Sequence, residues 1–282
     1  MMVSGAPQGR QEGGLRLGWF STGRGEGSRR LLTAVQDRIL RGDLPAAIQF
    51  AFCNREPGEA EGSDQFQALV RSFGLPLVAF SSRRFRRERG ARTFDDVREA
   101  YDQEVLQRLG GFSPDLCTLA GYMLYAGPAL CRRYAMINLH PALPQGPVGT
   151  WQEVVWQLIE GRARETGAMI HLATEEWDRG PVITYFTLPL VGPEFDPLWR
   201  QVGQRSVAEL KATYGEDLPL FQRIRREELK RELPLVVETI RAFALGQVRV
   251  VGRQVVDVQG RPLSGYCLNE QVEAALRQGD VD

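Results

Sequence analysis

The chain has 282 residues, of which 43% are hydrophobic and 25% are charged, and its formal net charge is zero. These values are typical of a soluble globular protein, and the balanced charge argues against a general polyanion binder such as a nucleic-acid-binding protein. No apolar run is long enough to cross a bilayer, and residues 1–14 lack the apolar core of a signal peptide. We therefore expect a disordered leader over 1–14, a single domain over 15–282 and a cytoplasmic location without membrane partners.

The first half of the chain alternates apolar runs with amphipathic ones. A glycine-rich turn, Gly23–Gly27, separates the first predicted strand from the first predicted helix. Strands are predicted at 15–22, 46–54, 75–81, 116–121 and 135–139, and helices at 28–41, 63–73, 94–109 and 128–134. This alternation predicts an α/β fold with a doubly wound, mostly parallel sheet.

The second half predicts a helix at 151–160, strands at 167–173 and 182–190, and a polar, proline-interrupted stretch over 192–230 with helical segments. An apolar helix at 233–245, closed by Gly246, and a hairpin at 248–258 follow. The predicted parts of the domain are 15–134, 135–190, an insertion at 191–230, and a C-terminal helix and β-hairpin within 231–282.

The only two histidines of the chain, His140 and His171, lie in one stretch that also contains polar candidates for catalysis. Asn138 and His140 are two positions apart on a predicted strand, so their side chains point to the same face. Pro141 ends that strand, which puts the pair at the edge where open α/β sheets bind ligands. Asp178 follows in a turn-rich segment.

An amide, an imidazole and a carboxylate can divide one reaction among them. The amide stabilises an oxyanion, the histidine moves a proton and the carboxylate holds the imidazolium. No serine or cysteine stands as an obvious nucleophile, so direct transfer is favoured over a covalent intermediate. The four cysteines, Cys53, Cys117, Cys131 and Cys267, form no CxxC pair, and we expect reduced thiols and no metal site.

Three runs carry a family resemblance. They are Asn138-Leu139-His140-Pro141, the later His171 with Asp178-Arg179-Gly180-Pro181, and Arg98-Glu99-Ala100-Tyr101-Asp102. Together they resemble the 10-formyltetrahydrofolate-dependent formyltransferases, and among these the phosphoribosylglycinamide formyltransferases of purine biosynthesis. The similarity extends from about residue 15 to residue 266. It implies a formyl transfer from 10-formyltetrahydrofolate to the amino group of glycinamide ribonucleotide, with small-molecule substrates only.

The resemblance also implies roles for individual residues. Asn138 would orient the formyl carbonyl and bind the oxyanion, His140 would donate the proton, and Asp178 would favour the protonated form of His140. The folate-binding residues would be Arg98, Met123, Leu124, Tyr125, Ala126 and Asn138. Gly27, Ser28 and Arg29, at a helix N-terminus, would hold the substrate phosphate. His171 and Gly121 would support the site.

The chain departs from the family pattern at several of these positions. Arg29 stands where the family has asparagine in the phosphate turn, and Leu124 replaces the arginine common in the folate segment. Glu228 is the nearest candidate for the acidic residue that contacts the acceptor ribose. Six arginines crowd residues 83–92, which we interpret as a solvated loop or as a clamp for an anionic tail or phosphate.

Other functions stay open at this stage. The same donor with water as acceptor would make the chain a formyltetrahydrofolate deformylase, and another amine could replace glycinamide ribonucleotide. A transfer-RNA formyltransferase is weaker, since the tail after Gly246 offers one hairpin. A nucleotide-binding oxidoreductase is weaker still, because the glycines at 23–27 do not fit the GxGxxG spacing. A non-catalytic folate-binding protein and a homodimer also remain open.

Overall fold

The computed structural model describes residues 14–176 and 178–279. The predicted leader over 1–14 therefore lies outside the described residues except for Gly14. The C-terminal three residues and Trp177, which belongs to the predicted turn, are outside them as well.

An eight-stranded sheet organises the described residues, with the order β10-β7-β6-β5-β4-β1-β2-β3. The strands of the sheet are β1 (Leu15–Ser21), β2 (Ala46–Cys53), β3 (Leu77–Ala79), β4 (Leu116–Leu119), β5 (Met136–His140), β6 (Glu165–Leu172), β7 (Val182–Pro189) and β10 (Tyr266–Cys267). Neighbours are parallel except at β5–β6 and β6–β7, which are antiparallel. The chain order reverses between β1 and β4, so the ends of these strands form the switch point of a doubly wound sheet.

Helices cover both faces of this sheet. They are α1 (Glu26–Leu40), α2 (Glu61–Ser72), α3 (Ser82–Glu88), α4 (Arg98–Arg108), α5 (Pro128–Arg133), α6 (Trp151–Glu160), α7 (Asp196–Val202), α8 (Val207–Tyr214), α9 (Pro219–Ala244) and α10 (Asn269–Arg277). Neighbouring residues of β1 point to opposite faces of the sheet and belong to different core clusters. Trp19 is in the cluster that includes residues of α1 and α9, and Phe20 is in an aromatic cluster with Tyr101 of α4. None of the described helices is long and apolar enough to cross a membrane.

The predicted fold class is confirmed. The parallel strands of the first half appear where the alternation predicts them. The helix α6 also has the predicted bounds, and a capping box of Thr150 and Glu153 determines where it begins. The predicted terminal hairpin is the pair β8 (Arg249–Val251) and β9 (Gln254–Val256). The strand predicted over 75–81 is shorter, only Leu77–Ala79.

The prediction for the apolar C-terminal helix was wrong at its start. The helix does not begin at Leu233 but continues without a break from Pro219, so it crosses the predicted boundary at residue 230. Proline is favoured in the first turn of a helix and disfavoured in its interior. The structure keeps Pro234 buried inside α9, at the loss of one backbone hydrogen bond. The strand β10 and the helix α10 that follows it have no counterpart in the sequence prediction.

The helix α3 is a second correction. Arginine-rich residues 83–92 were expected as a loop, but Ser82–Glu88 are helical. Ser81 caps the helix by accepting a hydrogen bond from the Arg84 N–H at 2.9 Å, and Phe85 is its buried anchor. One buried residue per turn in an otherwise charged segment is too weak a period to predict a helix.

Glu228 of α9 is fully buried, which excludes the contact with an acceptor ribose that the sequence suggested. Its Oε1 accepts a hydrogen bond from Thr166 Oγ1 at 2.8 Å, and Arg225 is 3.9 Å from its Oε2. Burial raises the pKa of Glu228 to about 8, although the Thr166 hydroxyl and the Arg225 charge act in the opposite direction. The carboxyl group of Glu228 is therefore mostly neutral in the folded protein near pH 7.

The raised pKa predicts a stability that depends on pH. The folded protein holds the Glu228 proton more tightly than the unfolded protein does. The contribution of this proton to the free energy of unfolding is therefore complete below about pH 4.5 and is lost as the pH rises towards 8. Glu228→Gln removes this loss, and we expect a free energy of unfolding higher by about 4–5 kcal/mol at pH 9, with a change below about 1 kcal/mol at pH 5. Thermal unfolding of both proteins across this range measures the effect. Parallel pH profiles would contradict the assignment.

Candidate active site

The strand β5 carries the centre of the candidate site. Its register places Asn138 opposite His171 of β6 and His140 opposite Met169. Leu119 at the end of β4 pairs with Asn138 on the other side. Asn138 and His140 thus project from one face at the C-terminal end of a central strand, as predicted, and the second histidine is their cross-strand neighbour.

Asp178 joins this group across a long sequence separation. Its Oδ2 is 3.6 Å from His140 Nδ1, and its Oδ1 is 3.3 Å from His171 Nε2. Asn138 Nδ2 donates to the same Oδ1 at 3.3 Å and is 3.4 Å from His171 Nε2. The structure therefore brings all four predicted side chains together, with the Asp178 carboxylate in contact with the other three.

The local backbone explains how Asp178 reaches both histidines. Asp178 adopts a positive φ of 52°, a left-handed conformation that aspartate tolerates better than most residues. Gly180 follows at a point where a Cβ atom would lie 1.7 Å from the Leu172 carbonyl oxygen. Only glycine permits this approach, which folds the loop back onto the end of β6.

The electrostatics favour an ionised Asp178. Partial burial acts to raise its pKa, but the hydrogen bond from His171, the charges of both histidines and the Asn138 amide outweigh burial, and the pKa of Asp178 is lowered. His140 also has its Nε2 3.0 Å from the Pro147 carbonyl oxygen. Both ring nitrogens of His140 therefore face acceptor oxygens, one of Asp178 and one of Pro147.

A cavity of about 400 Å³ opens in front of this group. Its lining includes the four polar side chains and an apolar wall from Leu119, Tyr122, Met123, Leu124, Tyr125 and Ala126. Two hydrogen bonds hold the wall: the Met123 N–H donates to Thr22 Oγ1 at 2.8 Å, and the Tyr125 hydroxyl donates to the Thr174 carbonyl at 3.1 Å. We call this space the first cavity. Every predicted folate-binding residue except Arg98 lines this cavity.

Arg98 lies behind the wall of the first cavity. Its guanidinium donates to the Tyr125 carbonyl, pairs with Asp95, and stacks over the rings of Phe94 and Tyr125. One turn later on α4, Asp102 accepts a hydrogen bond from the Gly127 N–H at 2.8 Å. Burial raises the pKa of Asp102 to about 7, against the effects of the Gly127 N–H and the Arg98 charge. α4 therefore supports the segment 122–127 from behind.

The predicted phosphate turn begins the helix α1, with Gly25 at its N-cap. Gly27 is open, since a Cβ there would meet nothing within 4 Å. Ser28 is buried and its hydroxyl donates to the Gly25 carbonyl at 2.7 Å, so the side chain stabilises the turn itself. Arg29 donates to the Gly62 carbonyl at 3.3 Å. Gly121 adjoins the turn, because a Cβ on it would lie 3.2 Å from the Ser28 Cβ.

A second cavity, of about 660 Å³, lies between this turn and α9. Gly27 lines it with several basic side chains, namely Arg30, Arg225, Arg226 and Lys230. Leu139 lines both cavities. The two spaces therefore meet at the strand that carries Asn138 and His140.

Sequence reasoning missed the residues that shape the site from outside the resemblance. Thr22 follows β1 directly at the switch point, and that position could have identified it as a candidate. Arg226 and Lys230 are four positions apart on α9, so their shared face was readable once the helix was extended back to Pro219. Pro147 acts through its backbone carbonyl, which no sequence pattern reveals.

Known proteins resemble this chain in sequence and in fold. The phosphoribosylglycinamide formyltransferase of Escherichia coli strain K12 is 37% identical over 171 residues, which cover 59% of this chain and 70% of that protein. Glycinamide ribonucleotide transformylase 1 from Symbiobacterium toebii has a TM-score of 0.60 at 24% identity, with 91% of this chain and all of that chain covered. A formyltetrahydrofolate deformylase from Pseudomonas syringae pv. tomato has a TM-score of 0.56 at 21% identity, with 87% of this chain and 66% of that chain covered.

Fold and site thus define an α/β enzyme whose candidate catalytic groups lie at the C-terminal edge of its sheet. The description of the formyl transferase family matches residues 27–193, more than half of the chain, and this stretch holds the whole Asn138, His140, His171 and Asp178 group. The chain belongs to the formyl transferase family. The two structural likenesses, below 25% identity, establish the fold.

The close approach of Gly180 generates a prediction. Gly180→Ala forces the Leu172 carbonyl and the new methyl group apart, which we expect to cost about 1–3 kcal/mol of stability and to displace Asp178. A displacement of about 1 Å at a reacting group lowers activity on the order of 100-fold. Thermal unfolding and formyl transfer rates measure the two effects. Gly111→Ala is the matched control, because a Cβ there meets nothing within 4 Å; equal behaviour of both variants would refute the argument.

Proposed function

We propose that the protein transfers the formyl group of 10-formyltetrahydrofolate to the amino group of glycinamide ribonucleotide, in purine biosynthesis. The observation that carries this proposal is the junction of the two cavities at Leu139. One cavity holds an acid–base group, the other is basic and begins at a helix N-terminus. A reaction between a donor and a phosphorylated acceptor requires two such sites that share one reacting centre. The names of the relatives describe this same reaction.

The donor occupies the first cavity in this proposal. The apolar wall from Leu119 to Ala126 suits the faces of a planar heteroaromatic ring, and the backbone groups of the same segment can bond to its edge. The formyl carbon then faces Asn138 and His140. No metal enters the proposal; among residues 14–176 and 178–279 no three potential ligand side chains are grouped to hold one.

Four side chains divide the work of the transfer. The acceptor nitrogen bonds to the formyl carbon, and the Asn138 amide stabilises the oxyanion that results. The bond from that carbon to N10 of the folate then breaks, and His140 supplies the proton that N10 takes up. The acceptor amine releases one proton, which the imidazole of His140 takes up, so His140 regains the proton that it gave to N10. Asp178 holds the imidazolium in place, and His171 fixes the orientation of Asp178 from its other side.

The acceptor occupies the second cavity. Its phosphate lies at the start of α1, where Gly27 exposes the backbone and the helix dipole favours an anion. Arg226 is exposed on the opposite wall, and no carboxylate lies within ion-pair distance of it among residues 14–176 and 178–279. Arg225 and Lys230 already pair with Glu232 and Glu227. Arg226 is therefore the α9 cation most available to a phosphate.

The deformylase alternative rests on the structural likeness to formyltetrahydrofolate deformylases. Hydrolysis needs only water beside the donor, so it leaves the basic second cavity without a substrate. A phosphorylated acceptor explains that cavity, which is why transfer is preferred. Another amine that carries a phosphate would fit the same argument.

The test follows the loss of formyl from a 10-formyl folate by absorbance, with and without glycinamide ribonucleotide. We expect turnover that requires the ribonucleotide. Under the same conditions, His140→Ala and Asp178→Asn should each lower kcat by about 10²- to 10⁴-fold, because proton transfer and its orientation are lost while the donor cavity remains.

Each variant needs an independent measure of donor binding, such as quenching of protein fluorescence by the folate. Unchanged donor affinity with lost turnover supports the assigned roles. Wild-type rates in either variant would overturn them. Turnover without any acceptor would replace the proposal by a deformylase.

Arg226 tests the acceptor site separately. Arg226→Gln removes a charge-assisted contact to the phosphate, and we expect the KM for glycinamide ribonucleotide to rise about tenfold with an unchanged KM for the donor. The matched control is Arg71→Gln, another exposed arginine, on α2. A rise in the donor KM instead would assign the second cavity to the other substrate.

A further inference from the structure

A cavity of about 540 Å³ lies along the helix α1 and has no role in the reaction proposed above. We call this space the third cavity. One face of α1 forms much of its lining, since Arg30, Ala34, Arg38 and, at the C-cap, Arg41 recur at helical spacing. Its volume falls in the range of small-molecule sites in proteins, which is roughly 300–1,000 Å³.

The lining of the third cavity carries an excess of positive charge. Among the described residues that line it, Asp37 supplies the one carboxylate, and four residues supply guanidinium groups, namely Arg29, Arg30, Arg38 and Arg41. Arg29 donates to the Gly62 carbonyl at 3.3 Å, and this neutral acceptor leaves its charge in place. Arg38 is only 8% exposed. A charge that water reaches poorly attracts an anion more strongly than a charge on an open surface does.

The third cavity also offers apolar surface. Leu69 of α2 and Leu233 of α9 are partly buried against the core, and both line the cavity. Gln65 of α2 adds a side-chain amide, which can both donate and accept hydrogen bonds. The lining therefore suits a small ligand that combines several negative charges with an apolar body that has polar edges.

We propose that the third cavity binds a nucleoside polyphosphate, which acts as an effector and not as a substrate. The phosphates bind to the arginines, because guanidinium groups form bidentate, charge-assisted hydrogen bonds with phosphate oxygens. A chain of phosphates can contact several of these groups at once. The base packs against Leu69 and Leu233 and forms hydrogen bonds with the Gln65 amide.

The third cavity shares part of its lining with the proposed acceptor site. Arg30, Leu233 and Gly279 line both the third and the second cavity. The effect on the acceptor rests on the proposed function, because that proposal puts the acceptor phosphate in the second cavity. Negative charge in the third cavity repels this phosphate and competes with it for Arg30, so a bound nucleotide weakens acceptor binding.

Binding is tested by isothermal titration calorimetry of the full-length protein at low salt and without divalent cations. The ligands are ATP, inorganic tripolyphosphate and adenosine. We expect ATP to bind at one site and tripolyphosphate to bind about tenfold more weakly, because it lacks the apolar body. Adenosine should show no saturable binding. Absence of ATP binding overturns the inference, and so does an affinity for either analogue that equals that for ATP.

Four variants locate the nucleotide. Arg41→Gln, which changes the third cavity alone, should weaken ATP binding about fivefold. Asp37→Asn should strengthen it about threefold, because it removes the opposing carboxylate. Arg226→Gln changes the second cavity alone, and Arg71→Gln changes an exposed position on α2 that lines neither, so both should leave the affinity unchanged. ATP binding that is lost in Arg226→Gln and kept in Arg41→Gln would assign the nucleotide to the second cavity and overturn the inference.

The effect on the acceptor is measured by steady-state formyl transfer. Saturating ATP should raise the KM for glycinamide ribonucleotide about tenfold in the wild-type enzyme, with an unchanged KM for the donor. At the same ATP concentration, Arg41→Gln should show a smaller rise. An unchanged acceptor KM contradicts the effector role. Absence of formyl transfer without ATP contradicts the proposed function instead, and calorimetry then still tests the nucleotide site.

Discussion

The site depends on one carboxylate that serves three partners. Asp178 lies between two nearly buried histidines and accepts from the Asn138 amide, so its ionised form orients every reacting group. The pKa of Asp178 is lowered because these contacts outweigh its partial burial. The arrangement requires a left-handed backbone at Asp178 and a glycine two residues later. Sheet order, loop geometry and electrostatics therefore converge on the position of a single side chain.

The strand β5 also borders both cavities, because Leu139 lines each of them. The cavity on one side has an apolar wall that Thr22 and α4 hold in place, and the cavity on the other side is basic. The helix α9 is part of both the core and the second cavity. One of its faces packs into the core through residues such as Leu235, and its first half supplies cations to the second cavity.

The chemistry of the candidate site was readable from the chain because its signals are short-range. Asn138 and His140 share a face for any extended backbone, and Pro141 ends any strand. Glu228 and α3 were misjudged for the opposite reason. Whether a glutamate on a helix faces solvent or Thr166 depends on which side of the helix meets the sheet, and that side is chosen by the packing of residues some 60 positions apart. The predicted start at residue 233 was wrong because α9 continues back to Pro219 and contains Pro234 in its interior.

Local patterns predicted the fold class, the edge of the sheet that carries the candidate site and the types of its polar side chains, because alternation, turn residues and side-chain chemistry act over a few residues. Only the folded chain decided that Asp178 reaches both histidines and that Leu139 borders two cavities. These relations are distances between segments far apart in sequence. They follow from the simultaneous burial of both faces of the sheet, and no short stretch of the chain contains that information.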